Sequence, residues 1–286
     1  MKTFLLASLT LAVSAAAADK IKVLIVDGQN NHQWKMTTPV MKQILEEPGI
    51  FSVEVSTSPE KGKGIESWQP KFSDYAVVVS NYNGEPWSAA TKEAFEKFVS
   101  GGGGFVSVHA ADNSFPEWPA YNEMIGVGGW GGRDEKSGPY LRLRNGKWTM
   151  DTTPGAGGSH GKQHEFNLNN GAPEHPIMQG LPEVFRHRQD ELYNRLRGPA
   201  KNVTILASAF SPKEMGGSGE MEPMLMAIPF GKGRVFHDAL GHGAEAVHCV
   251  AFAVTLQRGT EWAATGKVTQ KVPANFPDDQ QSKERP

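Results

Sequence analysis

The chain has 286 residues, of which 38% are hydrophobic, and its formal charge is -2 at pH 7. This length and apolar content are sufficient for one large domain with a buried core. The near balance of charges provides no basic surface, so we expect no nucleic-acid partner. The single cysteine, Cys249, excludes an internal disulfide, and the apolar residues around it predict a small buried side chain.

Residues 1–18 have the pattern of a secretory signal peptide. Lys2 supplies one positive charge, a short apolar run follows, and the alanines at 15–18 form a small-residue cleavage region. The alternative interpretation is a buried N-terminal helix. The pattern predicts a mature chain that begins near Ala18 or Asp19 and works outside the cytoplasm, in the periplasm or the extracellular space. No later segment has the length of a membrane span.

Strands and helices alternate in the first part of the mature chain. Thr37, Thr38 and Pro39 predict the start of a helix with proline in its first turn, and Ser88 predicts the cap of a second helix that ends near Ser100. Gly101–Gly104 then break this helix and open a strand. Apolar runs rich in β-branched residues predict strands at 21–26, 51–55, 72–80 and 105–108. This order indicates an α/β fold with a parallel sheet and helices on its faces.

The second half of the chain is less regular. Residues 113–170 are rich in glycine and contain two short strand patterns, and we interpret this segment as an insertion that covers the site. Strands at 203–209, 224–229 and 234–237 complete the sheet, and one helix closes the domain from 244 to about 264. We therefore expect a single domain over residues 19–270 and a loose C-terminal tail over residues 271–286.

Histidines follow several of the predicted strands. His32, His109 and His242 each come after a strand end, where ligands bind in open α/β sheets. Residues 190–193 begin another short extended run, and Glu191 within them is the best carboxylate candidate because it could face the same cleft. Its alternative role is a surface ion pair with a nearby arginine, which would contribute little. We interpret His175, His187 and His248 as structural.

His160 and His164 are four residues apart in a glycine-rich stretch. On a helix this spacing would place both imidazoles on one face and indicate a metal pair, but the glycines argue against a helix. A divalent metal ion held by these two residues and a further histidine or carboxylate therefore stays open, and no other cofactor is assigned. The glycine run at 101–104 is no phosphate loop, because the glycines precede the strand.

The ordered set of motifs resembles the ThuA-like (trehalose utilisation) family. The resemblance spans about residues 21–265 and depends on four segments, which are 22–32, 98–110, 175–193 and 231–242. The family is similar in fold to class I glutamine amidotransferases, which implies a flavodoxin-like parallel sheet. His109 stands in the region where those enzymes place a cysteine nucleophile, so the resemblance does not imply amidotransfer.

The resemblance implies a role in saccharide catabolism, on a 3-keto-glycoside made by a partner sugar oxidoreductase. We expect His109 and His242, aided by Glu191, to carry out general acid–base chemistry that leads to elimination, hydration or isomerisation. Two other classes stay open: a non-catalytic carbohydrate-binding or scaffolding protein, and a metal-dependent sugar hydrolase or lyase. The residues expected to bind the saccharide are His32, Trp34, Asn81, Tyr82, Asn83, Asp112, His160, His164 and Tyr193.

Overall fold

The computed structural model describes residues 19–285 of the chain. The predicted signal peptide, residues 1–18, lies outside the described residues. Within them, no helix combines the length and the apolar character needed to cross a membrane.

The described residues form three sheets and five α-helices. The helices are Trp34–Glu46 (α1), Ala89–Ser100 (α2), Pro119–Ile125 (α3), Ala244–Val247 (α4) and Val250–Thr265 (α5). The strands are Ile21–Asp27 (β1), Phe51–Thr57 (β2), Val77–Ser80 (β3), Gly104–Val108 (β4), Tyr140–Arg144 (β5), Lys147–Asp151 (β6), Ser159–His160 (β7), His164–Asn170 (β8), Val184–Asp190 (β9), Tyr193–Asn194 (β10), Thr204–Phe210 (β11), Met221–Phe230 (β12) and Gly233–Asp238 (β13).

The main sheet has nine strands in the order β2-β1-β3-β4-β13-β12-β11-β8-β9. The strands from β2 to β13 run parallel, and each strand from β12 to β9 is antiparallel to its neighbour. The predicted α/β fold with a parallel sheet is therefore confirmed for the half that contains the first strands. The other half extends this sheet by antiparallel pairing.

Both faces of the main sheet are covered. Along β1, Val23 and Ile25 belong to one hydrophobic cluster, while Leu24 and Val26 belong to the other. Helices α1 and α5 supply side chains to the first cluster, and α2 and α3 supply side chains to the second. Because successive strand residues point to opposite faces, a strand buried on both sides must be apolar throughout.

The strand directions determine which loops meet. Two successive antiparallel steps restore the original direction, so β11 and β9 point the same way as β13 and β4. The loops that follow β1, β3, β4, β9 and β13 consequently leave the sheet at one edge. His32, His109 and His242, which follow β1, β4 and β13, therefore lie at the same edge, and β9, which the parallel-sheet prediction did not place, also ends there.

Helix α1 and strand β3 do not begin where the sequence predicted. Helix α1 begins at Trp34, so Pro39 lies inside it rather than in its first turn. Residues Phe72–Asp74 form a 3-10 turn, and the third strand begins only at Val77.

The glycine-rich segment is only partly an insertion. Strands β5 and β6 form a separate hairpin, whereas β8, also inside this segment, pairs with β11 and β9 in the main sheet. The short strand β7 pairs with β10 in a third sheet. The segment therefore both extends the core sheet and supplies loops beside the strand ends.

The C-terminal part of the chain is packed rather than loose. The amide of Val250 donates to Lys283 O at 2.9 Å, and the amide of Arg285 donates to His248 O at 2.8 Å. Cys249 forms a β-bridge with Glu284, and this extended residue divides the predicted closing helix into α4 and α5. Cys249 itself is fully buried, as predicted.

The glycine run before β4 has two structural functions. Gly102 has a φ of +123°, a conformation that ends α2 and that other residues adopt with strain. At Gly104 the backbone lies against α5, where a Cβ would come within 2.6 Å of the carbonyl group of Ala263. A side chain at 104 would therefore push the helix away from the sheet.

We expect Gly104→Ala to lower the free energy of unfolding by about 1–3 kcal/mol, because an added methyl group overpacks this contact. Denaturant unfolding of the purified protein measures the change. Gly171→Ala is the matched control, since its Cβ would meet its nearest neighbour, Ile205 O, at 3.4 Å. Equal losses in the two variants would contradict the interpretation.

Strand β13 ends on Asp238, a fully buried carboxyl. Burial raises the pKa of Asp238 from its usual 3.8 to about 7, although its Oδ1 accepts a hydrogen bond from the Leu240 amide at 3.0 Å. The folded chain therefore retains a proton that the unfolded chain loses near pH 4. The contribution of Asp238 to the free energy of unfolding is therefore fully present below pH 4 and is lost as the pH rises towards 7.

Asp238→Asn preserves the acceptor for Leu240 but cannot ionise. We expect the variant to gain stability relative to the wild type as the pH rises from 4 to 7.5, by at most about 4 kcal/mol at about 1.4 kcal/mol per pKa unit. Urea unfolding of both proteins across this pH range measures the difference. A difference that does not vary with pH would contradict the raised pKa.

Candidate active site at the carboxyl edge of the sheet

Glu191 lies at the centre of a histidine cluster. Its Oε2 is 3.0 Å from His242 Nδ1, 3.6 Å from His109 Nε2 and 3.8 Å from His32 Nε2. Its Oε1 is 3.7 Å from His160 Nε2. Imidazoles from separate parts of the chain thus surround one carboxylate that is 7% exposed.

His109 is the first residue after β4, and contacts with buried groups fix the position of its ring. Its Nδ1 lies 3.0 Å from Ala239 O, and its ring packs on Tyr193 with 4.2 Å between centroids. Because a carbonyl oxygen only accepts, Nδ1 carries the proton and Nε2 is turned towards Glu191. The residue adopts a φ of +45°, an uncommon conformation for a residue other than glycine that often occurs at functional sites.

His32 and His160 have the same pattern. The Oδ1 of Asn30 accepts from the His32 backbone amide at 2.9 Å and from His32 Nδ1 at 3.2 Å. His160 Nδ1 donates to Gly161 O at 2.8 Å. In each ring the second nitrogen, Nε2, is thereby left for Glu191. The rings are oriented by their own loops and not by the carboxylate that they face.

The buried Asp190 aligns the loops around Glu191. Its two carboxylate oxygens accept from the backbone amides of Gly241 at 2.8 Å, His242 at 3.1 Å and Glu191 at 2.8 Å. His187 Nε2 lies 2.9 Å from Asp190 Oδ2. Burial opposes ionisation, but the bond with His187 and the nearby positive charges hold the pKa of Asp190 below its usual value. This carboxylate therefore joins the end of β9 to the loop after β13.

The pKa values of the cluster members are shifted in different directions. Although burial opposes it, contacts with His109 and His242 hold the pKa of Glu191 well below its usual range. Burial also disfavours a charge on His109, yet Glu191 and Asp190 raise its pKa overall. Burial and the charges of the neighbouring imidazoles lower the pKa of His32 to about 4. Perturbed groups that lie together in a cleft indicate a functional site.

A cleft of about 370 Å³ opens over Glu191. Trp130 and Tyr193 form an aromatic wall with 4.7 Å between ring centroids. The other wall and the rim carry amides and imidazoles, and the full lining is Asn31, His32, Asn83, Asn113, Trp130, Gly131, His160, Glu191 and Tyr193. Aromatic faces beside hydrogen-bonding groups suit a ligand with both apolar faces and hydroxyls.

The structure brings most of the predicted chemistry together. His32, His109, His160, Glu191 and His242 meet around one carboxylate, as described above. Asn83 and Tyr193, predicted to bind saccharide, also line the cleft. These residues follow strands that end at one edge or lie in the short β7-β10 sheet beside it.

Other predicted saccharide ligands lie elsewhere. Trp34 lines a neighbouring cavity of about 800 Å³, which meets the cleft at Asn83. The Asn81 amide is buried and donates to the hydroxyls of Thr37 and Thr38 at 3.0 Å. Both placements separate these side chains from the Glu191 cluster.

Tyr82, Asp112 and His164 also point away from the cleft. Tyr82 is fully buried among aromatic rings, and its hydroxyl donates to Glu85 O at 2.7 Å. Asp112 is buried and pairs with His237 at 3.1 Å. His164 Nδ1 donates to Lys162 O at 2.8 Å, and its ring packs on Phe166. These contacts give the three residues structural roles.

Sequence reasoning missed several residues that shape the site. Trp130 and Asn113 line the cleft; the glycines beside Trp130 indicated a loop, but no local pattern distinguished a ring that faces a ligand from one that packs in the protein. Asp190 precedes Glu191, but its role depends on the loop after β13. The pairing of Asp112 with His237 joins positions 125 residues apart, so no local pattern indicates it.

One group of side chains has the arrangement of a metal-ligand set. His32, His109, Glu191 and His242 each offer one ligand atom, and these atoms all lie within 4.8 Å of one another. The sequence instead indicated His160 and His164 as the pair. The cluster can therefore support proton transfer through imidazoles, or hold a cation between nitrogen and oxygen ligands.

Comparisons with known proteins agree with this architecture. A putative ThuA-like protein from Parabacteroides merdae is 47% identical and superimposes with a TM-score of 0.91, covering 93% of this chain and 98% of that chain. A putative ThuA-like protein from Bacteroides uniformis is 20% identical with a TM-score of 0.59, over 90% of this chain and 97% of that one. A protein described as cytoplasmic from Salmonella typhimurium shares the fold, at 10% identity and a TM-score of 0.52, over 85% and 99% of the two chains.

No curated protein matches the chain. The family model described as "ThuA: Trehalose utilisation" matches residues 22–263, which include every residue of the Glu191 cluster. The chain therefore belongs to the ThuA (trehalose utilisation) family, for which a sugar-related role is expected.

Proposed function

We propose that the chain is an enzyme of saccharide catabolism that transfers protons on an oxidised sugar bound in the cleft. The observation that carries the proposal is the convergence of His32, His109, His160 and His242 on Glu191. Imidazoles are common general acid–base groups, so several of them around one carboxylate can pass a proton to and from a bound ligand. The aromatic and amide lining of the cleft supports a saccharide as the ligand.

The proposed substrate is a 3-keto-glycoside. The description of the family model, trehalose utilisation, supports a disaccharide or a related glycoside. A keto group at C3 acidifies the proton at C2, so an imidazole can remove it, which it could not do from an unoxidised sugar. A sugar oxidoreductase must then act before this protein to supply the keto group.

Exposure favours His160 as the group that contacts the substrate. Its side chain is 39% exposed, compared with 24% for His242, 13% for His32 and 3% for His109. The proton transfer that the sequence assigned to His109 and His242 therefore passes to His160. His109 and His242 instead hold and orient the Glu191 carboxylate.

The proposed step is an elimination. His160 Nε2 takes the C2 proton, and the electron pair moves into the C3 carbonyl to form an enolate. When the pair returns, the C1–C2 double bond forms and the C1–O bond breaks. The departing oxygen takes the proton back from His160, so the products are an unsaturated keto-sugar and a free alcohol. Hydration or isomerisation of that product would use the same groups.

We expect His160→Gln to lower kcat/KM by about 10²- to 10⁴-fold, the range for losing one general acid–base group. The assay compares 3-keto and unoxidised forms of trehalose and related disaccharides. His164→Gln is the matched control, since it removes an imidazole outside the cleft and should retain wild-type activity. Full activity in H160Q would contradict the assignment. Sugar affinity without turnover in the wild type would instead indicate a non-catalytic carbohydrate-binding or scaffolding protein.

We also propose that the protein is exported to the periplasm or the extracellular space. The support is the sequence pattern of residues 1–18. In its own host, we expect the protein to be found outside the cytoplasm. Its chain should then begin near Ala18 or Asp19. N-terminal sequencing of the fractionated protein tests this, and a cytoplasmic chain that retains the residues before Ala18 would contradict it.

A further inference from the structure

We propose that His32, His109, Glu191 and His242 bind one divalent first-row transition metal ion, with Zn²⁺ the expected occupant. Their ligand atoms lie within 4.8 Å of one another and come from the loops after β1, β4, β9 and β13. The set differs from the sequence-predicted pair, His160 and His164. Metal binding by this set stands independently of the proposed function.

The orientation of the rings is the first argument. His109 and His32 use Nδ1 to donate to Ala239 O and Asn30 Oδ1, so in its neutral form, the form that binds metal, each ring presents the lone pair of Nε2 to Glu191. A carboxylate also offers only lone pairs. Acceptors that face one another repel unless a positive centre lies between them. A proton on one ring bridges a single pair, whereas a metal ion bridges all of them.

The distances are the second argument. The separations of 3.6 Å and 3.8 Å from Glu191 Oε2 to His109 and His32 are too long for hydrogen bonds. Ligands about 2.1 Å from a tetrahedral ion are about 3.4 Å apart, which is close to these values. The 3.0 Å approach of His242 is also close to such a spacing.

Unpartnered nitrogens are the third argument. Within residues 19–285, His109 Nε2 and His242 Nδ1 are buried and have no hydrogen-bond partner, even though His242 Nδ1 lies 3.0 Å from the carboxylate. Buried polar atoms without partners are rare and costly. Both atoms are turned towards the same Glu191 oxygen, so one ion would satisfy both.

The surroundings resemble those of known metal sites. Histidine ligands usually donate the second ring N–H to a carbonyl or carboxylate, which fixes their orientation. Ala239 O and Asn30 Oδ1 serve this purpose for His109 and His32. Asp190 accepts hydrogen bonds from the backbone amides of Glu191 and His242 and so fixes the position of both residues. The ligands are therefore held in position without the ion.

The chemistry of the ligands selects the ion. Imidazole ligands suit Zn²⁺ and its neighbours in the first transition row, whereas Mg²⁺ and Ca²⁺ prefer oxygen ligands alone. Neutral imidazoles and one carboxylate leave a divalent ion with a net positive charge. If the proposed function holds, this charge would polarise the C3 carbonyl of the substrate, while His160 remains free to move the C2 proton.

The test measures metal binding directly, without substrate. The full mature chain is stripped with a chelator and titrated with Zn²⁺ by calorimetry and with Co²⁺ by visible absorption. We expect one ion per chain for each metal and a Co²⁺ spectrum with imidazole ligands. His109→Gln and Glu191→Gln should weaken Zn²⁺ binding by about 100-fold or more, since losing a ligand costs at least as much as losing its outer-shell partner.

His164→Gln is the matched control and should bind Zn²⁺ with wild-type affinity. Circular dichroism and thermal unfolding of the apo variants establish that each one is folded, and Zn²⁺ should raise the Tm of the wild type more than that of H109Q. Absence of stoichiometric Zn²⁺ and Co²⁺ binding in the wild type would overturn the metal site. So would an equal loss of affinity in H164Q and H109Q.

Metal binding and catalysis can fail separately in these experiments. Turnover by a chain that binds no metal would overturn this inference and leave the proposed function standing. Stoichiometric Zn²⁺ binding without turnover of any keto-sugar would support the metal site and overturn the proposed function.

Discussion

The ionised carboxylate of Asp190 is the constraint on which the site depends. It is buried and accepts hydrogen bonds from the amides of Glu191, Gly241 and His242, so it fixes the end of β9 against the loop after β13. A buried charge is costly unless hydrogen bonds compensate it, and here His187 and the amides do so. The position of Glu191 relative to His242 follows from this arrangement.

The direction of the strands provides the second level of organisation. In a wholly parallel sheet each strand end would require a crossover helix, but β12, β11, β8 and β9 are added as antiparallel neighbours. Because an even number of antiparallel pairings separates β13 from β9, these two strands run in the same direction. Glu191, which follows β9, therefore lies at the edge that also carries His32 and His109. A carboxylate from the far part of the chain thereby enters a histidine cluster that the parallel strands built.

Local patterns predicted the fold better than the roles of single side chains. The apolar runs and the Ser88 cap placed most strands and α2 closely, because these signals depend on neighbouring residues. Tyr82 and Asp112 follow strands as the functional residues do, yet they turn inwards to Glu85 and His237. Whether a side chain at a strand end faces the cleft or the core depends on partners that are distant in sequence.

The sequence by itself determined the alternation of strands and helices, the glycine run that ends one helix and opens the next strand, and the family to which the chain belongs. It also placed His32, His109 and His242 after strands, because periodicity and turn residues are local properties. Only the tertiary structure decided that Glu191 is their common partner and that His160, but not His164, joins them. Those contacts arise when loops distant in the chain meet at one edge of the sheet, and no local pattern encodes the distances between them.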